Sequence, residues 1–237
     1  MAEVITNHLD LWTSALLTKS SAGRGSNGKL EAYGIKKLRE LILELAVRGK
    51  LVPQDPSDEP ARVLLEKIER EKMRLEREGV LARQKPLPEV ANNDEYFSLP
   101  SGWVWSRLGE VTNYGITDKA EPEDVDEDTW ILDLEDVEKE TSKLLTKTRF
   151  AEKPFRSSKN RFKSGDVIYG KLRPYLDKVL VADEDGVCTT EMVPVHGYVG
   201  ISPFYLRMVM KTPRFIKYAD DSTHGMNLPR LGTDKAR

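Results

Sequence analysis

Two stretches near the N-terminus carry apolar residues at the spacing of a surface helix. The first predicts a helix over residues 34–48, and its stripe consists of Ile35, Leu38, Leu41, Ile42 and Leu45. The second predicts a helix over residues 61–78, and its stripe consists of Leu64, Leu65, Ile68 and Leu75. A narrow stripe on so charged a helix is typical of a coiled-coil-like helix that packs against a partner helix. A solvated surface helix on a domain is the alternative.

The pattern changes after these helices. Residues 84–98 contain prolines and asparagines with little periodicity, which is typical of a linker. From residue 99 onwards, short apolar runs bounded by turn residues predict strands, and residues 203–219 predict one helix near the C-terminus. The sequence therefore predicts an α+β fold. It consists of a helical hairpin region over 1–83, a linker over 84–98 and a strand-rich domain over 99–237.

Composition limits the classes that this chain can belong to. Its 237 residues are 39% hydrophobic, which suffices for a folded core. The only cysteine, Cys188, excludes an internal disulfide and a zinc site built from cysteines. No apolar run approaches the roughly 20 residues that span a bilayer. The N-terminus lacks the basic and apolar regions of a signal peptide. We therefore expect a cytoplasmic protein that does not contact membranes.

Charge is unevenly distributed although the net charge is only −2. Residues 114–141 and 179–199 are acidic, whereas residues 142–178 and 201–237 carry an excess of lysine and arginine. Two basic segments separated by acidic ones can form a one-sided positive surface on a nearly neutral protein. Alternatively, the acids and bases pair across neighbouring strands and cancel. The sequence alone leaves both interpretations open.

The sequence contains no pattern typical of catalysis. Residues 165–171 match the glycine and lysine spacing of a phosphate-binding loop, but Leu172 replaces the hydroxyl residue that such a loop needs, and Pro174 follows. The three histidines lie far apart and form no metal-binding motif. No G-x-S-x-G segment is present. We therefore predict neither a catalytic residue nor a metal site.

Binding chemistry remains, because basic and polar side chains follow the predicted strands. Such side chains reach phosphates, and an arginine can bridge O6 and N7 of guanine. The candidate DNA-binding residues are Lys159, Arg161, Lys163, Lys171, Arg173, Tyr175, Lys178, Thr189, Thr190, His224 and Asn227. The alternatives are a solvated basic edge that discourages strand aggregation, and ordinary turns.

Several segments resemble those of one protein family, the DNA-specificity (S) subunits of type I restriction–modification enzymes. Their helical spacer resembles residues 38–72, LRELILELAVRGKLVPQDPSDEPARVLLEKIEREK. The opening of their target recognition domain resembles residues 99–111, LPSGWVWSRLGEV. The body of that domain is similar to GDVIYGKLRPYLDKVLVA, GVCTTEMVPV and HGMNLPRL, which occur in this order. The order of the segments is more specific than any single one.

The resemblance implies a function and a set of partners. An S subunit holds two recognition domains apart on antiparallel helices, and each domain reads half of a split DNA target. It has no catalytic activity. It directs methyltransferase subunits, which use S-adenosylmethionine, and restriction subunits, which consume ATP with magnesium. We therefore expect double-stranded DNA and these subunits as partners, and no cofactor on this chain. The predicted subunit interface consists of Leu41, Ile42, Leu45, Leu64, Leu65 and Ile68.

The chain departs from the family pattern because it contains one recognition domain rather than two. We expect a fragment or truncated product. In a homodimer, two copies would supply the missing half of each other's spacer. The alternative from another class is a helical adaptor whose β-rich domain binds protein.

Overall fold

The computed structural model describes residues 5–19, 29–91, 97–225 and 227–237. Their contacts form two compact units, one comprising Met1–Asp58 with Leu99–Ser101 and the other comprising Glu59–Ser98 with Gly102–Arg237. The second predicted helix thus groups with the strand-rich unit rather than with the N-terminal helices. The compact units differ in this way from the predicted domains, whose boundaries stay a prediction. Residues 92–96 of the predicted linker lie outside the described residues.

The first unit consists of short elements and one long helix. Helix α1 (Leu9–Ser14) is followed by the antiparallel strands β1 (Leu17–Lys19) and β2 (Lys29–Glu31), and then by helix α2 (Tyr33–Val47). Helix α2 confirms the helix predicted over 34–48. Gly49 follows the C-terminal end of this helix and adopts φ 63°, and the Lys50 N–H donates to the Leu45 carbonyl at 2.8 Å. Glycine adopts this left-handed conformation without steric cost, so it terminates the helix.

The second unit combines helices with short strands. Its helices are α3 (Ala61–Arg77), α4 (Leu108–Val111), α5 (Pro203–Met210), α6 (Pro213–Asp221) and α7 (Thr233–Ala236). Its strands are β3 (Lys119–Ala120), β4 (Trp130–Leu132), β5 (Thr148–Arg149), β6 (Lys159–Phe162), β7 (Val167–Gly170), β8 (Val179–Val181), β9 (Gly186–Cys188), β10 (Met192–Val195), β11 (Thr223–His224) and β12 (Arg230–Leu231).

These strands form three sheets. The largest has the order β3-β6-β9-β4-β5 and is mixed, because β4 runs parallel to β9 while the other pairs are antiparallel. The second sheet is antiparallel with the order β10-β7-β8. Strands β11 and β12 form a two-stranded antiparallel pair. The α+β fold with N-terminal helices, a strand-rich region and a helix near the C-terminus is thereby confirmed.

Alternating side chains of the three-stranded sheet divide the core into layers. On strand β7, Val167 and Tyr169 pack in a cluster with Leu206 and Met210 of helix α5. Ile168, between them, belongs to a second cluster with side chains of the five-stranded sheet, including Trp130 of β4. The period of two in a strand explains this division, because successive side chains point to opposite faces. The sheet that precedes the loop at residues 171–175 is therefore held on both faces.

The helix predicted over residues 203–219 is two helices, so that prediction is wrong in detail. Helix α5 ends at Met210, and α6 begins at Pro213. Proline has no N–H for the interior of a helix but fits the first turn. The Thr212 hydroxyl oxygen accepts a hydrogen bond from the Phe215 N–H at 3.2 Å, which caps α6.

None of the described helices has the length and apolar character required to cross a bilayer. In the same part of the chain, histidine, cysteine and acidic side chains form no group of three or more that could hold a metal ion.

Candidate nucleic-acid interface

Three loops of the strand-rich unit meet at one surface, which we call the three-loop face. They are residues 171–175 after β7, residues 189–191 between β9 and β10, and residues 227–230 at the start of β12. Backbone hydrogen bonds join them: the Lys171 N–H donates to the Glu191 carbonyl at 3.0 Å, and the Arg173 N–H donates to the Pro229 carbonyl at 2.8 Å. The Leu231 N–H donates to the Lys171 carbonyl at 3.0 Å. Backbone contacts between neighbouring loops thus fix their relative positions.

Most of the predicted DNA-binding residues lie in these loops or beside them. The residues concerned are Lys171, Arg173, Tyr175, Thr189, Thr190, Asn227 and His224, the last of which pairs with Arg230 in the β11–β12 register. Arg173, Thr190 and Asn227 are exposed, and Tyr175 retains 48% of its surface. Among the described residues, no hydrogen bond or ion pair engages the Lys171 ammonium. Cationic, hydroxyl and amide groups are therefore presented together to solvent.

The backbone of Arg173 adopts an unusual conformation. Its φ of 52° and ψ of 64° lie in the left-handed region, which costs a non-glycine residue about 1–2 kcal/mol. The Pro229 carbonyl accepts the Arg173 N–H, and the Asn227 carbonyl accepts from Nη2 of the guanidinium at 3.4 Å. Such strain persists only where surrounding contacts determine it, and it clusters at functional sites.

A buried ion pair anchors the other end of the same turn. Asp177, with φ 50°, ends the 3₁₀ turn Pro174–Leu176, and its carboxylate lies 2.6 Å from the Lys211 ammonium. That ammonium also donates to the Ser142 hydroxyl at 2.8 Å and to the Glu140 carbonyl at 2.9 Å. Burial raises the pKa of Asp177 to about 6, and the attraction of Lys211 opposes the rise only in part.

Arg230 was not predicted to bind DNA, and its pairing with Glu191 on the three-loop face was not predicted either. The Arg230 guanidinium donates from Nε and Nη2 to the Glu191 carboxylate, and both shortest distances are 2.8 Å. This hydrogen bond lowers the pKa of Glu191. The sequence signal was present but weak: Arg230 lies in the last basic segment, and Glu191 directly follows the candidate Thr190. Only the strand pairing brings residues so distant in sequence together.

The remaining predicted DNA-binding residues do not join the three-loop face. The Lys159 ammonium lies 2.6 Å from the Asp133 carboxylate, with only 10% of its side chain exposed. The Arg161 guanidinium donates to the Asp124 carbonyl at 3.1 Å, and Lys163 contacts Asp185 at 2.7 Å. These contacts support the alternative of acid–base pairing across strands for this part of the chain.

The Lys178 ammonium is engaged by a backbone carbonyl outside the three loops. It donates to the Leu134 carbonyl at 2.6 Å, and burial lowers its pKa. A partly buried amine that already has an acceptor is poorly placed to reach a phosphate. DNA contacts by Lys178, like those by Lys159, Arg161 and Lys163, stay a prediction.

The predicted subunit interface lies on helices of both compact units. On α2, Leu41 is 37% exposed whereas Leu45 is buried. On α3, Leu64 and Leu65 are partly exposed, while Ile68 retains only 2% of its surface. Within its own unit, helix α3 is also joined to the segment before helix α5, because the Glu71 carboxylate accepts the Val199 N–H at 2.7 Å. The role of these residues and of Ile42 in subunit contacts stays a prediction.

No protein family model matches the chain. The chain is 39% identical over 233 residues to the type I restriction enzyme EcoAI specificity subunit of Escherichia coli, which covers 94% of this chain and 39% of that protein. It is 60% identical over 109 residues to the EcoEI specificity subunit of the same species, which covers 46% of this chain and 18% of that protein. The chain thus spans less than half of the length of these relatives.

One solved structure provides a comparison of folds. This structure is described as showing the structural basis of complex assembly and conformational transition of the type I R-M system. The TM-score is 0.51 at 22% identity, over 59% of this chain and 37% of that chain. At this level of identity the likeness shows the fold alone.

Proposed function

The chain is related in sequence to type I restriction enzyme specificity subunits along 94% of its length, and on this premise we propose that it binds double-stranded DNA at a specific sequence. This relationship confirms the resemblance identified from the sequence. The three-loop face is the proposed binding surface, and the chain itself is proposed to catalyse no reaction.

The convergence of three separate loops is the observation that carries the proposal. Arg173 can bridge two acceptors of guanine, and Asn227 can pair with two groups of adenine. The Lys171 ammonium suits a phosphate as a point charge, and contacts of that kind position the protein without reading the sequence. Groups of both kinds are therefore available on one surface, as a DNA reader requires.

Selection from a pool of random duplexes tests the proposal. The 237-residue chain would be incubated with the pool at about 50 mM and about 200 mM salt, and the bound duplexes would be sequenced. We expect one enriched motif whose affinity falls with salt. The adaptor alternative predicts no enriched motif at either salt concentration, and that result would refute DNA recognition by this chain.

Two variants then test the placement of the surface. Arg173→Ala should lower affinity by about 1–3 kcal/mol and relax the preference at one position of the motif. Lys171→Ala should weaken all sequences alike and reduce the salt dependence by about one counterion. Lys67→Ala is the matched control, because its exposed ammonium contacts Glu59 at helix α3 and lies in none of the three loops. Equal affinities of all three variants would contradict the placement.

We further propose that methyltransferase subunits, and restriction subunits with them, are partners of this chain. The support is that its relatives are specificity subunits of restriction enzymes. S-adenosylmethionine, ATP and magnesium would then be bound by those partners.

Leu65→Asp places a charge on the predicted helical interface and should abolish association with a methyltransferase subunit while DNA binding persists. Light scattering of the chain alone measures the homodimer that the sequence predicts.

A further inference from the structure

In the Arg230–Glu191 pair, several hydrogen bonds orient the Arg230 guanidinium and leave part of it accessible to another ligand. Nε of Arg230 lies 2.8 Å and 3.0 Å from the two carboxylate oxygens of Glu191. Nη2 lies 2.8 Å from the Oε1 atom, and Nη1 donates to the Leu228 carbonyl at 3.3 Å. The side chains keep 43% and 26% of their surface exposed. The bidentate contact fixes the orientation of the guanidinium while part of it stays exposed.

The unused donors of Arg230 show what it can bind. A guanidinium has five N–H groups, and the contacts above use one on Nε, one on Nη2 and one on Nη1. One N–H therefore remains on each terminal nitrogen, without a partner among the described residues. Two neighbouring donors in one plane match the O6 and N7 acceptors of guanine in the major groove.

The charge of the pair favours a base over a phosphate as this ligand. Glu191 neutralises Arg230, so together they add little to the electrostatic attraction that draws any DNA sequence to a protein. The two residues still offer directed donors, and directed donors discriminate between bases. On the proposed function as a DNA reader, we propose that Arg230 reads a guanine of the target and that Glu191 is the positioning residue that orients its guanidinium.

Two substitutions test this assignment in the sequencing selection. Arg230→Lys keeps the charge but loses the fork, and we expect the preference for guanine at one position to fall about 10-fold. Glu191→Gln keeps the size but removes the charge, so it should weaken the preference at the same position. Binding to random duplex should stay unchanged or rise, because a negative charge is lost from the surface. The double variant should lose no more than Arg230→Lys alone.

The pair formed by Arg149 and Glu184 provides a matched control. These residues also form a two-pronged contact, with 38% and 36% of their side chains exposed, at the edge strand β5. Arg149→Lys and Glu184→Gln should leave every base preference unchanged.

The outcomes distinguish this inference from the proposed function. If the unmodified chain enriches no motif, DNA recognition itself is refuted. If it enriches a motif whose base preferences Arg230→Lys leaves intact, the assignment of Arg230 is overturned. If Glu191→Gln alters a different position, or lowers binding to random and target DNA equally, Glu191 is not the positioning residue. Unfolding curves provide the folding control: if the curves of both variants coincide with that of the unmodified chain, the substitutions have only local effects.

Discussion

The ammonium of Lys211 lies 2.6 Å from the carboxylate of Asp177, and only 10% and 12% of these side chains are exposed. The pair joins the end of helix α5 to the turn that carries Arg173 and Tyr175. The other carboxylate oxygen of Asp177 has no hydrogen-bond partner in the described part of the chain. The pair therefore positions the turn, but it also buries a carboxylate with one oxygen that accepts no hydrogen bond.

Lys211→Met tests how strongly this pair stabilises the fold. It leaves a buried carboxylate without its cation, and we expect a loss of about 3 kcal/mol in the free energy of unfolding at pH 7.5. The loss should be smaller at pH 5. Burial already raises the pKa of Asp177 to about 6, and without Lys211 the carboxyl is protonated even more readily. Urea denaturation at both pH values measures the difference. Lys217→Met, which removes an exposed partner of Asp221 on helix α6, is the control and should leave the unfolding curve unchanged.

Lys159 and Lys171 provide a second prediction, because both were predicted to bind DNA and only one is free to do so. Lys159→Met should lower the free energy of unfolding by about 1–3 kcal/mol. This loss is smaller than that for breaking an isolated buried ion pair, because Lys153 also contacts Asp133 at 2.9 Å. DNA affinity of the folded protein should not change. Lys171→Met should leave stability unchanged and reduce the salt dependence of DNA binding. Titrations at several salt concentrations, paired with unfolding curves, separate the two effects. An altered salt dependence in Lys159→Met would place DNA on strand β6 instead.

The same two residues show how far the sequence could predict the site. The basic segments, the strand β7 and the turn after it were predictable from local patterns. The alternation of Lys159, Arg161 and Lys163 suggested a common basic surface. The partners of these side chains include Asp133, which directly follows strand β4, and Asp185, which directly precedes strand β9. Pairing between strands distant in sequence leaves no local signal. The fork between Arg230 and Glu191 was missed for the same reason, since it depends on the bridge between Leu172 and Arg230.

Gly200 offers a test of how helix α3 packs within the strand-rich unit. Its φ is 79°, and a Cβ at this position would lie 2.6 Å from Cδ1 of Leu64. Gly200→Ala should therefore cost about 1 kcal/mol for the backbone, as for any left-handed residue, and a further penalty for displacing Leu64. Gly165→Ala is the matched control, because Gly165 has φ 88° with no atom within 4 Å of a new Cβ. We expect Gly200→Ala to be the more destabilising of the two in urea.

The Leu64→Ala background tests the cause of the difference. In this background, the extra penalty of Gly200→Ala should disappear, since the smaller side chain leaves room for the new methyl group. Equal penalties at Gly200 and Gly165 in the unmodified chain would contradict packing of Leu64 against this turn.

His196 and Asp166 predict a pH dependence of stability. The His196 Nδ1 lies 2.8 Å from the Asp166 carboxylate, whose side chain is only 8% exposed. The hydrogen bond to Asp166 raises the pKa of His196 above 6.5, against the opposing effect of burial, and the charge of Glu71 adds to the rise. A histidine with a raised pKa in the folded state stabilises the protein fully below its unfolded pKa. That stabilisation is lost as the pH rises through the folded pKa.

Asp166→Asn keeps the shape of the carboxyl group but removes the charge that favours the imidazolium. We expect the variant to lose about 0.5 kcal/mol relative to the unmodified chain at pH 6, a small value because 61% of the His196 side chain is exposed. The gap should narrow as the pH rises through the raised pKa of His196, because the imidazole then loses the charge that Asp166 stabilises. Urea unfolding at half-unit steps of pH provides the measurement. The stability gap between His196→Gln and the unmodified chain should narrow in the same pH range, because this variant lacks the titrating group itself. Parallel profiles for all three proteins would show that the imidazolium of His196 does not contribute to stability.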